Sequence, residues 1–359
     1  MCAAILAAAQ NDSTSIAIEA LSRLKNIDLE ANPAVKTAVM HVIESTKGTP
    51  QFVELVRDFK IKDQDPALLA FALTHPSESA GVEAMRLLLA HRNLDLVNQG
   101  INGPNAASAI EVLGNTGEKQ IVSILEPVIA DSKRDVVARQ QAVHALAQVQ
   151  DGAALLLKLA KEDKLASDLK LTISSELNNV RWSNIKTEAM QVLPPVQGQN
   201  LEPLPPIAEL VKRKGDFAHG EQVFFSPQVN CGSCHQVNGK GVDFGPKLSE
   251  IGTKLGKDGL YAAILDPNAG ISFGYETWQI ELKNGDEAYG LLSSETEDEI
   301  AIKAAGNIVS RYKKSDMVRR EKLKSSIMPT GLQQAMNTQD LVDLVEYLSS
   351  LKKSAEGSP

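Results

Sequence analysis

The chain has 359 residues, a formal net charge of −8, 43% apolar residues and only 4% aromatic ones. That length predicts two to three domains with real cores, and no apolar run is long enough to span a bilayer. The acidic balance gives no support to a nucleic-acid partner, and three cysteines are too few for a disulfide framework.

In chain order, Met1 to Ala9 lacks the basic flank and full apolar centre of a secretion signal. Cys2 stands alone, without the residues that precede a lipidated cysteine. Residues 13 to about 192 read as paired amphipathic helices with short turns. Ile16, Ala20, Leu21 and Leu24 recur at helical spacing, as do Val35, Val39, Val42 and Ile43. Pro33, Pro50, Pro66, Pro76 and Pro104 lie near helix starts, where a missing N–H costs nothing. Asn102-Gly103 and Asp151-Gly152 read as breaks. The segments Ala17–Leu21, Ala84–Leu88, Ala109–Leu113 and Ala142–Leu146 share one pattern. This resembles HEAT-type repeats, with an irregular helical bundle as the alternative.

The helical region, 1–192, is expected to end at a linker, residues 193–206. Its prolines exclude regular helix and favour a stiff, extended connection. A second domain, 207–359, follows. Its opening helix, Asp216 to Phe225, leads into Cys231-Gly232-Ser233-Cys234-His235. C-x-x-C-H is the attachment signature of a c-type haem. Two thiols one short turn apart add to the two porphyrin vinyl groups, and the next imidazole reaches the iron. A zinc half-site would need two further ligands nearby, and a thioredoxin-like pair should follow a strand rather than a helix.

Asn337 to Lys353 reads as a final helix with Leu341, Leu344, Val345 and Leu348 on a stripe and Tyr347 beside it; Thr338 is the expected N-cap, with Asp340 near the positive end. Between the two outer helices lies a further one, Asp258 to Leu265, then a β-rich stretch. Trp278, Ile280 and Leu282 alternate with polar residues, Asn284-Gly285 signals a hairpin, and further short strands follow near Tyr289–Leu292, Ile300–Ile302 and Ile308–Tyr312. Their spacing predicts a small SH3-like or Sm-like barrel, inserted at about 272–320.

A small glycine and an aromatic, Gly220 and Phe224, on the first helix, facing a Leu/Tyr stripe on the last, resembles the class I cytochrome c fold. Gly245-Pro246-Lys247-Leu248 resembles that family's G-P-x-L loop. The resemblance implies that the Pro246 carbonyl accepts from the proximal imidazole and that Leu248 lies on the porphyrin. Ser326-Ile327-Met328-Pro329-Thr330-Gly331-Leu332 completes a motif order similar to a paralogous haem-binding family, often fused behind PQQ-type dehydrogenase propellers and helical repeats. No propeller is present in this sequence, which leaves dehydrogenase activity unsupported.

These observations predict a mainly α chain: HEAT-like helical repeats, then a cytochrome c domain carrying a β insert and one covalent haem c. Its iron would be held by His235 and Met328, a ligand pair that raises the potential. Met317, Met336 and His219 are the alternative distal ligands. His41, His75, His91 and His144 read as ordinary surface or groove residues, and Trp182 and Trp278 as core. Arg311, Lys313, Lys314, Arg319, Arg320, Lys322 and Lys324 read as a solvated basic face, with docking of an acidic redox partner as the sharper alternative.

No Ser/His/Asp order, phosphate loop or H-E-x-x-H is present in the sequence. Single-electron transfer with a redox partner protein is therefore the expected function. The alternatives are the haem subunit or fragment of a PQQ-type sugar or alcohol dehydrogenase, a haem sensor with an open distal site, and a structural scaffold. Haem c implies export, to the periplasm in bacteria. That conflicts with Met1–Ala9 and predicts a true start upstream or a fragment.

Overall fold

The computed structural model describes residues 16–21, 23–25, 27–193 and 203–353. Cys2, the Met1–Ala9 stretch and most of the linker fall outside them. The chain forms two compact units, residues 1–116 and 117–359.

The first unit is built of helices α1 (Pro33–Thr46), α2 (Pro50–Asp58), α3 (Asp65–Thr74), α4 (Ser79–Ala90), α5 (Leu94–Asn102) and α6 (Ala106–Thr116). Proline occupies the first turn of α1, α2 and α3, where its fixed φ suits the helix and no backbone donor is lost. From α2 onward these helices pack on the next helix, the next but one, or both, α2 on α4, α3 on α5 and α4 on α6. The second unit opens in the same way with α7 (Ile121–Ala130), α8 (Val136–Ala147), α9 (Gln150–Lys161), α10 (Lys170–Asn179) and α11 (Ser183–Val192), where α8 packs on α10 and α9 on α11.

Asp151-Gly152 is not a break. It lies in the first turn of α9, and a Cβ on Gly152 would stand 2.2 Å from the Leu146 carbonyl oxygen. Glycine serves close approach there rather than a turn. Gly81 does the same near the start of α4, where a Cβ would stand 1.9 Å from the His75 oxygen.

The cytochrome-like part comprises the short α12 (Ile207–Leu210), then α13 (Phe217–Phe225), α14 (Ile251–Lys254), α15 (Lys257–Leu265), five strands and α16 (Thr338–Ser350). Its core joins Val223 and Phe224 of α13, Leu260, Tyr261 and Ile264 of α15, and Leu341, Leu344, Val345 and Leu348 of α16. A Cβ on Gly220 would lie 2.0 Å from the Asp343 oxygen and 2.8 Å from Tyr347 Cβ, so α13 and α16 cross with their backbones in contact. The Phe224 and Tyr347 rings then meet at 5.7 Å. The cap of α16 is Asn337 rather than Thr338: its side chain accepts from Asp340 N while Asp340 accepts from Asn337 N, a reciprocal pair that a threonine one residue later cannot form.

The β stretch is one antiparallel sheet: β1 (Thr277–Leu282), β2 (Glu287–Glu295), β3 (Glu299–Ala304), β4 (Ile308–Lys313) and β5 (Met317–Lys322), in the order β4-β3-β2-β1-β5. Asn284-Gly285 makes the first hairpin turn, with Gly285 at φ +82°. Trp278, Ile280 and Leu282 share one face, as their alternation predicts, with Ala288, Ile300 and Ile302. The insert runs to Lys322. β5 occupies part of the basic run because its backbone pairs with β1 while its side chains stay exposed. Both tryptophans are half-buried rather than core: Trp182 precedes α11 with the Arg181 guanidinium 4.5 Å from its ring, and Trp278 packs against the sheet core with Arg320 4.3 Å from its ring.

The helix crossing generates a prediction. Gly220→Ala should cost about 1–3 kcal/mol, the usual cost of overpacking a tight contact. Gly270→Ala, with open space around the added carbon, should cost little. Urea unfolding of the two variants checks the difference.

Candidate haem site

Asp216 caps α13, its carboxylate accepting from Ala218 N at 2.8 Å and His219 N at 3.1 Å. After α13 the chain turns through Asn230, held at φ +53°, into a single 3-10 turn over Cys231–Ser233. Cys234 N and His235 N both donate to Cys231 O, at 3.1 and 2.9 Å. The two thiols and the imidazole therefore leave one tight turn. A second reversal follows at Asn238-Gly239, both at positive φ, with Val237 and Lys240 exchanging hydrogen bonds at 2.9 Å.

The chain then returns over the motif. Val242 N donates to Gly232 O at 2.9 Å, Gly245 N to Cys234 O at 2.7 Å and Leu248 N to Gln236 O at 2.9 Å. Gly241 sits at φ +91°, and a Cβ there would lie 2.4 Å from His235 O. At Gly245 a Cβ would lie 2.8 Å from the His235 ring, so a side chain there would push the imidazole off the returning segment. The result is one hydrogen bond of 2.7 Å between His235 Nδ1 and Pro246 O. A carbonyl can only accept, so Nδ1 carries the proton and Nε2 keeps its lone pair. Burial holds the imidazole below its ordinary pKa, although the bond to Pro246 pulls the other way. The ring is therefore neutral and ready to ligate.

Burial pushes the Cys231 thiol up to about 12, with Cys234 beside it adding to the shift, and burial raises Cys234 too. A redox-active pair shows the opposite, a lowered pKa that favours thiolate. Among the described residues no group of three or more His, Cys, Asp or Glu, these three included, is placed to hold a metal ion. The zinc and thioredoxin-like readings lose their support.

Cys231, Leu248, Phe225 and Leu265 pack against the domain core yet remain half-buried. Met328 is also half-buried, and its loop is tied down: Met328 N donates to Ser326 Oγ at 3.1 Å, and Ser326 N to Asn268 Oδ1, just past α15, at 2.8 Å. Of the competing methionines, Met336 is buried in the domain core and Met317 packs on the sheet core. His219 faces away toward α16, its Nδ1 2.8 Å from Asp343 Oδ2. Gln333, on the 3-10 turn Leu332–Ala335, buries an Oε1 that has no partner among the described residues.

Residues 217–301 match the family model described as cytochrome c. This stretch is a cytochrome c domain, and its cofactor is covalently bound haem c with iron. The match ends within β3, short of Met328 and α16. The chain is also similar to two proteins named deoxyhypusine hydroxylase. That of Chaetomium globosum is 25% identical over 177 residues, 48% of this chain and 47% of that protein. That of Gibberella zeae is 27% identical over 146 residues, 39% of this chain and 42% of that protein. The chain spans less than half the length of either.

The residues present fit haem c. Two adjacent thiols, a neutral imidazole with a free Nε2 and part-exposed apolar side chains stand in one domain. The motif reading missed Asp343, which organises the platform: it accepts from Asp216 N, His219 and Gln339. A carboxylate on the buried side of α16, facing a helix cap, was its only signal in the sequence.

The charge pair that closes this platform has a defined pH dependence. The bond to Asp343 holds His219 above its ordinary pKa. Burial would raise Asp343, but hydrogen bonds from Asp216 N, His219 and Gln339 outweigh it and lower the carboxyl. The pair's contribution is complete below the unfolded histidine value of about 6.5 and above the unfolded aspartate value of about 3.9. It is lost as pH rises through the raised histidine value. Thermal unfolding from about pH 6 to 8 should show a decline in stability that His219→Gln flattens.

Proposed function

We propose that this protein is a monohaem c-type cytochrome that passes single electrons to or from a protein partner. Its haem would be attached through Cys231 and Cys234, with iron held by His235 and Met328, Leu248 against the porphyrin and Pro246 orienting the imidazole. The observation that carries the reading is the 2.7 Å bond from His235 Nδ1 to Pro246 O. Bound haem c supplies a one-electron iron couple. The chain's part is to keep His235 neutral and fixed, to shield the porphyrin faces and to limit reorganisation as charge changes. Burial keeps the ring neutral, and an acceptor on the far ring nitrogen fixes it by setting the tautomer, while raising ligand basicity. Such attachment takes place outside the cytoplasm in bacteria, so the proposal includes export to the periplasm. A dehydrogenase enters only as one class of electron donor.

The helical part is assigned as HEAT-like repeats that dock the partner. Packing of helices on the next but one, and the paired close approaches at Gly81 and Gly152, support repetition. Stacked helix pairs present a continuous surface suited to binding proteins. The sheet order, a four-strand meander with β5 beside β1, supports the small-barrel reading of the insert. The basic run supports a solvated face better than a docking patch, because much of it is internally paired. Arg320 holds Glu295 in a two-pronged contact at 2.7 and 2.9 Å, Lys314 meets the same carboxylate at 2.7 Å, and Arg319 pairs with Glu321.

Expressed with haem-maturation machinery and export, the protein should retain one haem through acid-organic extraction, and Cys231→Ala with Cys234→Ala should abolish that retention. Met328→Ala should remove the far-red sulfur-to-iron band of the oxidised form and lower the potential, within the ~0.8 V range that axial ligands span. An unchanged spectrum would transfer the distal role elsewhere. For docking, removing residues 1–116, a compact unit by itself, should weaken apparent affinity for the native partner and leave the haem spectrum intact. Equal affinity would refute the docking role.

A further inference from the structure

The sheet has two different faces. One carries its own apolar core, around Ile280, Ala288 and Ile302. The other holds Glu287, Tyr289, Leu291 and Lys303: the first three alternate along β2, and Leu291 lies opposite Lys303 in register. This second face is not a solvated surface. Leu291 is 2% exposed. Glu287 forms an ion pair of 2.7 Å with Arg181, whose guanidinium also lies 4.3 Å from the Tyr289 ring centre. At the hairpin, Lys119 N donates to Asp286 Oδ1 at 2.9 Å.

On the same face, Lys303 reaches the haem loop. Its Nζ donates to the Asp243 carbonyl at 3.2 Å and stands 5.7 Å from the ring centre of Phe244, which is 2% exposed. A cation within about 6 Å of a ring face is attracted by it. Asp243 and Phe244 lead directly into Gly245 and Pro246, and Phe244 N and Gly245 N are both bonded to Cys234 O. The ammonium thus grips the short segment whose next carbonyl but two holds the imidazole.

We propose that Lys303 is a positioning residue of the haem site: anchored on a sheet that is itself held at Arg181 and Lys119, it fixes the Asp243–Gly245 segment and so keeps Pro246 O on His235 Nδ1. The proposal rests on the haem reading above. Two effects of the lysine have opposite signs, which makes it testable. Loosening the Pro246 bond makes the imidazole less basic, stabilises ferric iron less and raises the potential. Removing a positive charge near the iron, with the bond intact, favours the ferric state and lowers it.

The test uses the full-length, haem-loaded protein. In the reduced form, Lys303→Met should speed exchange of the His235 Nδ1 proton by about tenfold, the factor that corresponds to the upper end of a typical hydrogen bond's net worth. The midpoint potential should rise, and Lys303→Arg should restore both readings. A fall in potential with unchanged exchange would make Lys303 a remote charge and overturn the proposal, as would no change in either. Failure of arginine to restore them would assign the effect to lost packing and also overturn it. Where Lys303→Met loads too little haem, Phe244→Leu removes the ring under the ammonium and should give the same two signs; opposite signs or none there overturn the proposal. If wild-type protein itself carries no covalent haem, it is the haem reading that fails.

Discussion

The candidate haem site is organised around one imidazole held neutral and in one tautomer. Burial keeps the His235 ring neutral, while the single bond from Nδ1 to Pro246 O sets its tautomer, and much of the surrounding local structure follows from that bond. The returning strand must lie on the motif closely enough to bring that carbonyl to the ring. Hydrogen bonds from Val242, Gly245 and Leu248 onto the C-x-x-C-H turn and its flank hold it there. Side chains would prevent the approach at Gly241 and Gly245, where a Cβ would strike the His235 oxygen and ring respectively. A loop that looks irregular in sequence is thus the most constrained segment of the domain.

The platform beneath it has its own constraint. α13 and α16 touch backbone to backbone at Gly220, and Asp343 stitches the contact by accepting from the cap of α13, from His219 and from Gln339. A carboxylate placed at low exposure is costly unless its oxygens are bonded. Here they are, and the pair adds pH sensitivity to a junction that is otherwise apolar. The same contacts turn the His219 ring toward α16.

The β insert separates α15 from the Met328 loop in sequence but not in space, because Asn268 and Ser326 join the two ends. Its apolar face gives it a core, while its opposite face joins the helices at Lys119 and Arg181 and the haem loop at Asp243. Lys314, Arg319, Arg320 and Lys322 of the insert pair with neighbouring carboxylates. Such surface pairs contribute little stability individually, but they leave less net charge to steer a partner.

By itself, the sequence determined the local features, those set by nearest neighbours and period. C-x-x-C-H pointed to haem c because covalent attachment to a porphyrin uses that order. Helical spacing marked the helices, prolines their starts, and alternation with Asn284-Gly285 the first hairpin of the sheet. Where the sequence misled, a local signal was overruled by packing: Gly152 reads as a break but serves close approach to Leu146, and Trp182 reads as core but lies under Arg181. The Gly245-Pro246-Lys247-Leu248 resemblance also pointed to the carbonyl that meets the imidazole. Only the tertiary structure decided that Met336 and Met317 are spent on cores, and that Lys303, sixty residues beyond Asp243 along the chain, reaches its carbonyl. Those contacts join residues far apart in sequence, and no periodicity or spacing encodes which distant groups a compact fold brings together.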